Sequence, residues 1–205
     1  MTQLNVIYLQ IYSNILKRLF ETIKIEKHHV YNIEWHNKRL NKSRLELFGE
    51  RQKIDLRNCI QIPKDEGLYR CRILYKKEIE LVEYIPYVPK NIHQFKVVHS
   101  TLNYHYKFND RSKLTALLDK NYDEIIIEKD GLLTDTSIAN IAFYNGKEWL
   151  TPKIPLLEGT TRERLLAKKF LKLENIKKEN IKNYSHFALM NAMIGFQIQK
   201  SINIK

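Results

Sequence analysis

GLLTDTSIANIAFYNGKEWLTPKIPLLEGTTRERLL, from Gly131 to Leu166, is the stretch whose reading decides the fold. It reads as a short strand, a polar turn in Leu133-Thr134-Asp135-Thr136-Ser137, and a second strand from Asn140 to Tyr144. A hairpin, a Thr-Pro loop and a helix opened by Gly159-Thr160-Thr161-Arg162 follow. Upstream, DEIIIEK is a strand of the buried kind, ended by a hairpin turn at Lys129-Asp130-Gly131. FKVVHS reads as a strand, and Asp110 to Asp119 as a short helix. Downstream, the apolar positions Leu165, Leu166 and Phe170 predict an amphipathic helix over Thr160 to Leu171. The tail HFALMNAMIGFQIQ mixes apolar and polar residues.

The first half of the chain has the same alternating character. LFETIKIE (Leu19 to Glu26) reads as a strand, followed by a turn through Asn32 that carries His28 and His29. Ile33 to Phe48 lacks Pro and Gly and reads as a helix stopped by Gly49. Leu68 to Tyr87 reads as two strands around Lys76-Lys77, and Pro86 and Pro89 mark a boundary. The fold class expected is therefore α/β (α+β), with subdomains over 19–90 and 91–205 and a small-molecule site in the cleft between them. Residues 1–18 stand apart as a short helix or an extension. Their charges, Lys17 and Arg18, follow the apolar part where a signal peptide would place them first. The segment is also too polar for a membrane span.

Composition narrows the function classes. At 43% hydrophobic residues in 205, the chain can build a packed core and lies outside the disordered class. Its two cysteines, Cys59 and Cys71, fit neither a metal-ligand spacing nor a disulfide framework, which predicts a cytoplasmic protein without a metal. The net charge of +12 is spread along the chain without a run of like charges or a nucleic-acid motif, so no polynucleotide or membrane partner is expected. A positive surface equally suits an anionic cofactor and substrate.

The strand-turn-strand-helix order resembles the class IV aminotransferase family, the fold type IV pyridoxal-phosphate enzymes. That resemblance implies pyridoxal phosphate as cofactor and runs from about Leu19 to Gly195. It also implies a set of site residues. Lys107, followed by Arg111 and a helix as in the aminodeoxychorismate lyases, would bond the cofactor covalently and serve as the catalytic base and acid. Asp135, where relatives carry glutamate, would meet the pyridine nitrogen, and Asn140 would follow it on the next strand. The phosphate would be met by Thr160 and Thr161, by Arg39 of a His-x-x-Arg-Leu helix beginning at His36, and by the Asn191-Ala192 turn. Arg72, or its neighbour Arg70 on the same strand face, would bind a substrate carboxylate.

Each of these residues also has a plainer use. Asp135 suits an Asx-turn, Thr160-x-x-Glu163 a capping box, and the arginine pair a basic edge strand. Ser112 stands where branched-chain aminotransferases carry a tyrosine, and Asn191-Ala192-Met193 resembles the lyase ending. The resemblance thus implies a 4-amino-4-deoxychorismate lyase, releasing pyruvate and p-aminobenzoate, as a homodimer. An aminotransferase for a small D- or branched-chain amino acid is the alternative enzyme. A non-catalytic cofactor-binding or basic interaction protein is the alternative of another class.

Overall fold

The structure, a computed structural model, describes residues 18–205. The reading of the segment before Arg18 as a helix or extension lies outside the described residues. Two compact units form, one running to Val88 and including Tyr106–Asp110, the other comprising Pro89–His105 and Arg111–Lys205.

In the first unit, β1 (Leu19–Glu26) turns through Lys27 and His28 into the two-residue β2 (His29–Val30). Helix α1 (Ile33–Phe48) follows, then the hairpin of β3 (Tyr69–Tyr75) and β4 (Ile79–Pro86). The strands pair antiparallel in the order β2-β1-β3-β4. Strand alternation sends Leu19, Ile23 and Ile25 into a core with Leu40, Leu56, Cys71, Ile73 and Tyr75. Gly49 ends α1 with φ +72°, a conformation that costs glycine least, and its N–H donates to the Leu45 carbonyl at 3.0 Å. Because β2 covers only the far end of β1, the near end is open to another segment, and Tyr106–Asp110 takes it. Phe20 N–H donates to Lys107 O at 3.0 Å, Leu19 bridges Phe108, and Asn109 N–H donates to Arg18 O at 2.8 Å.

The second unit is one sheet. In it β5 (Phe95–His99), β6 (Glu124–Lys129), β7 (Leu132–Thr136), β8 (Asn140–Tyr144), β9 (Trp149–Pro152) and β10 (Leu171–Glu174) lie in sequence order. The hairpin of β11 (His186–Asn191) and β12 (Gly195–Ile198) branches from β8. Asp130 and Gly131, at φ 52° and 75°, form the tight turn between β6 and β7. Phe95, Ile126, Ile141, Phe143, Phe187 and Leu189 form the core, with the Phe95 and Phe187 rings edge-on at 5.1 Å.

Two helix expectations need correction. Over Asp110 to Asp119 only one turn, α2 (Ser112–Thr115), is helical. Helix α3 spans Thr160–Ala167 and stops short of Leu171. Lys169 adopts φ 57° and reverses the chain, so Leu171 opens β10, while Phe170 stays 44% exposed with its ring against Phe196. The edge-strand reading of Arg70 and Arg72 also fails, because β3 is flanked by β1 and β4.

Leu40 has no exposed surface and faces β1 across the first core. Leu40→Ala is expected to destabilise the protein by about 3 kcal/mol in chemical denaturation.

Candidate active site

The residues singled out by sequence fall into two sets, one in each unit. In the first unit β1 places Glu21 inward between Leu19 and Ile23, with no exposed surface. A carboxylate there must be paired. His36 and Arg39, one helical turn apart on α1, supply the partners. His36 Nδ1 lies 2.6 Å from Glu21 Oε2, and Arg39 donates from Nε to Oε1 at 2.8 Å and from Nη2 to Oε2 at 2.5 Å.

Burial alone would raise the Glu21 carboxyl. The Arg39 charge and the hydrogen bonds from His36 and Arg39 outweigh it and hold the group at about 2. The pairing therefore stabilises the fold above the ordinary 4.5, a contribution lost as pH falls toward about 2. Burial drives His36 the other way, below its usual range. The hydrogen bond and charge of Glu21 only partly oppose this, and the cations of Arg39 and Lys107 add to the lowering. A neutral His36 that donates to Glu21 does so from Nδ1.

Lys107 belongs to this set. Its Nζ lies 4.5 Å from the centre of the Phe20 ring, and its charge is felt at His36. On the sheet face that carries Phe20, the cross-strand pairs Thr22–Arg72 and Lys24–Arg70 follow in register. Arg72 donates from Nη1 to Glu83 Oε2 at 2.5 Å and from Nη2 to Asn109 Oδ1. Arg70 is held differently: its buried Nε has no hydrogen-bond partner among the described residues.

In the second unit Asp135 lies next to the end of β7 and Asn140 opens β8, paired across the turn. Asn140 Nδ2 donates to Asp135 Oδ1 at 2.7 Å and to Leu157 O at 2.8 Å, while Leu157 N–H donates to Asp135 Oδ2 at 2.8 Å. The Asp135 carboxyl is thus more than an Asx-turn, because it fixes the loop that leads to α3. Burial raises it to about 6, against the lowering effects of Asn140, the Leu157 N–H and Arg162.

The turn itself is held from behind. Ser137 donates from its N–H and hydroxyl to Glu124 at 3.2 and 3.0 Å, and Arg111 donates to the Ser137 carbonyl at 2.6 Å. Asn191 Oδ1 accepts from Met193 and Ile194 N–H, and its Nδ2 donates to Ile138 O at 3.2 Å, tying the β11–β12 turn to the same place. What the Asn191-Ala192 turn can offer an anion is therefore backbone N–H.

The capping box at Thr160 does not form. Gly159 is the N-cap and no side chain caps the helix, while Glu163 pairs with Arg162 at 2.6 Å. Thr160 and Thr161 are buried in the first turn, whose backbone donors have no intrahelical acceptors. Gly159 is set by close approach, since a Cβ built there would lie 1.9 Å from Asn140 Oδ1.

Sequence reading missed Glu21 and Glu124 as site residues. Glu21 had a visible signal, a charge in the inward series Leu19, Glu21, Ile23, Ile25. Glu124 opens an apolar strand, and nothing local names Ser137 as its partner.

The Amino-transferase class IV family model matches residues 74–202, more than half of the chain. The chain belongs to the class IV aminotransferase family. It is 38% identical over 184 residues to an uncharacterised protein of Haemophilus influenzae, covering 86% of this chain and 98% of that one. A provisionally named 4-amino-4-deoxychorismate lyase of Haemophilus somnus 129pt is similar at 38% identity and a TM-score of 0.81, over 88% of this chain and 98% of its own. A hypothetical aminotransferase of Mycobacterium tuberculosis in its PLP-bound form shares the fold at 16% identity, with a TM-score of 0.75, over 92% of this chain and 81% of its own. The fold is that of the fold type IV enzymes.

The family's pyridoxal phosphate fits the residues present. The phosphate needs donors, which the first turn of α3 offers beside a glycine with no room for a side chain. The pyridine nitrogen needs a buried acid. Asp135 accepts from Asn140 and the Leu157 N–H, and its charge has no lysine or arginine hydrogen-bonded to it among the described residues. Among the described residues no cluster of His, Cys, Asp or Glu could hold a metal, and no helix is long and apolar enough to cross a membrane.

Gly159→Ala is expected to displace Asn140 and weaken cofactor affinity by about tenfold or more in a spectroscopic titration. Asp135 is protonated below about 6 and charged above it, so affinity for pyridoxal phosphate should fall as pH drops through about 6. Asp135→Asn should flatten that dependence. Without cofactor the sign for stability is opposite: the Asp135 contribution declines as pH rises from 3.8 through about 6, which thermal melts across that range would register.

Proposed function

We propose that the protein is a pyridoxal-phosphate-dependent lyase of the 4-amino-4-deoxychorismate type, releasing pyruvate and p-aminobenzoate. The observation that carries this reading is the set in the first unit, where β1 binds the backbone of Lys107 through Phe20 and, through the buried Glu21, holds Arg39 of α1. The near full-length likeness to the Haemophilus somnus protein supports the lyase branch. Bound, pyridoxal phosphate supplies an electron sink conjugated to the substrate's amino group.

The chain's own residues do the rest. Arg39, the first turn of α3 with Thr160 and Thr161, and the backbone of Asn191-Ala192 bind the phosphate. Asp135, oriented by Asn140, accepts a hydrogen bond from the pyridine nitrogen and favours its protonated form. Lys107 Nζ would hold the cofactor until the substrate's amino group displaces it, and the freed amine would then take the proton from the substrate carbon that bears the amino group. It returns a proton to the departing enol-pyruvyl methylene as the carbon–oxygen bond breaks, so no water is consumed.

Arg72, already braced by Glu83 and Asn109, offers charge to a substrate carboxylate beside the Lys107 end of the sheet face. Arg70 carries the unpartnered Nε on the same face and is the second candidate for that role.

A second reading, amino transfer from a small D- or branched-chain amino acid, is favoured by the family match itself. It uses the same residues and is separated by a half-reaction: an amino acid alone would convert a transaminase to its pyridoxamine form.

Borohydride reduction of the loaded protein, followed by peptide mass spectrometry, should find the pyridoxyl group on Lys107. Lys107→Ala should lose the label and at least about a hundredfold in turnover. A label on another lysine, or a Lys107→Ala variant that turns over normally, would contradict the assignment.

A further inference from the structure

Glu21 is a charge where the strand pattern calls for an aliphatic residue. Its neighbours in the inward series, Leu19, Ile23 and Ile25, are all buried, and Glu21 itself has no exposed surface. Enclosing an ion pair is a poor way to stabilise a core, because desolvation of both partners consumes most of the attraction. What the pair provides is orientation. Glu21 engages Arg39 through Nε and Nη2 together, the two-point contact that fixes the plane of a guanidinium.

His36 occupies the remaining side of the carboxylate at 2.6 Å and prevents it from turning. Arg39 keeps 14% of its side-chain surface exposed while Glu21 keeps none, so the pair has one sealed end and one accessible end. The Nη1 side of the fork lies outside the two-point contact.

We propose that Glu21, braced by His36, is the positioning residue that fixes the Arg39 guanidinium for the cofactor phosphate. This rests on the assignment of Arg39 to the phosphate made above. Glu21 touches neither cofactor nor substrate, and it acts through Arg39.

The test compares two probes that differ only in the phosphate, pyridoxal phosphate and pyridoxal, titrated against the purified full chain. Glu21→Gln is expected to weaken pyridoxal phosphate about ten- to a hundredfold and pyridoxal by less than about threefold. An equal loss for both probes would make Glu21 a scaffold residue only and overturn the proposal, as would no loss for either.

Arg39→Lys keeps the cation and leaves Glu21 in place, so it reads the same claim if Glu21→Gln fails to fold. It should show the same phosphate-selective loss, because a lysine cannot be held at two points. An Arg39→Lys protein that binds pyridoxal phosphate like the wild type would overturn the proposal. Arg39→Ala separates the two levels: a loss without preference for the phosphate removes the assignment of Arg39, and the role of Glu21 with it. Selective loss in Arg39→Ala but not in Glu21→Gln removes only the latter.

Discussion

Burying the Glu21 carboxylate is the constraint on which the first unit's chemistry depends. An enclosed negative charge is tolerated only when paired, and pairing requires His36 and Arg39 to share one face of α1. That requirement sets the rotation of the helix over β1. The adjacent residue, Phe20, points to the other face of the strand, binds the backbone of Lys107 and places its ring beneath the Lys107 amine. Two successive residues of one strand therefore fix a guanidinium and an amine.

The second unit treats its carboxylate in the opposite way. Asp135 is as deeply enclosed as Glu21, yet its partners are an amide and a backbone N–H, with Arg162 only a small influence. Burial then dominates and the group is held at about 6, whereas Glu21 is held at about 2. A carboxylate left short of positive charge is suited to a cationic ligand such as a pyridinium. One already saturated by arginine is suited to holding that arginine still. The difference in partners is what separates the two acids.

Much of this was legible in the sequence. Inward alternation marked β1, Gly49 marked the end of α1, and Asp130-Gly131 marked the tight turn before β7. The resemblance also picked out Lys107, Asp135 and the Gly159 turn. Other parts depend on contacts between residues far apart in the chain. The addition of Tyr106–Asp110 to β1 needs an opening that exists only because β2 is short. The grip of Glu124 and Arg111 on Ser137 joins three segments that no local pattern links. Helix α3 was read too long because apolar spacing continues through Phe170, whereas the left-handed turn at Lys169 has no sequence marker as clear as a glycine.

The most direct measurement is p-aminobenzoate formed from 4-amino-4-deoxychorismate by the protein loaded with pyridoxal phosphate, with pyruvate followed in parallel. A lyase forms equal amounts of both products and needs no amino acceptor. Conversion of an amino acid to its keto acid, with no p-aminobenzoate released, would contradict the lyase reading.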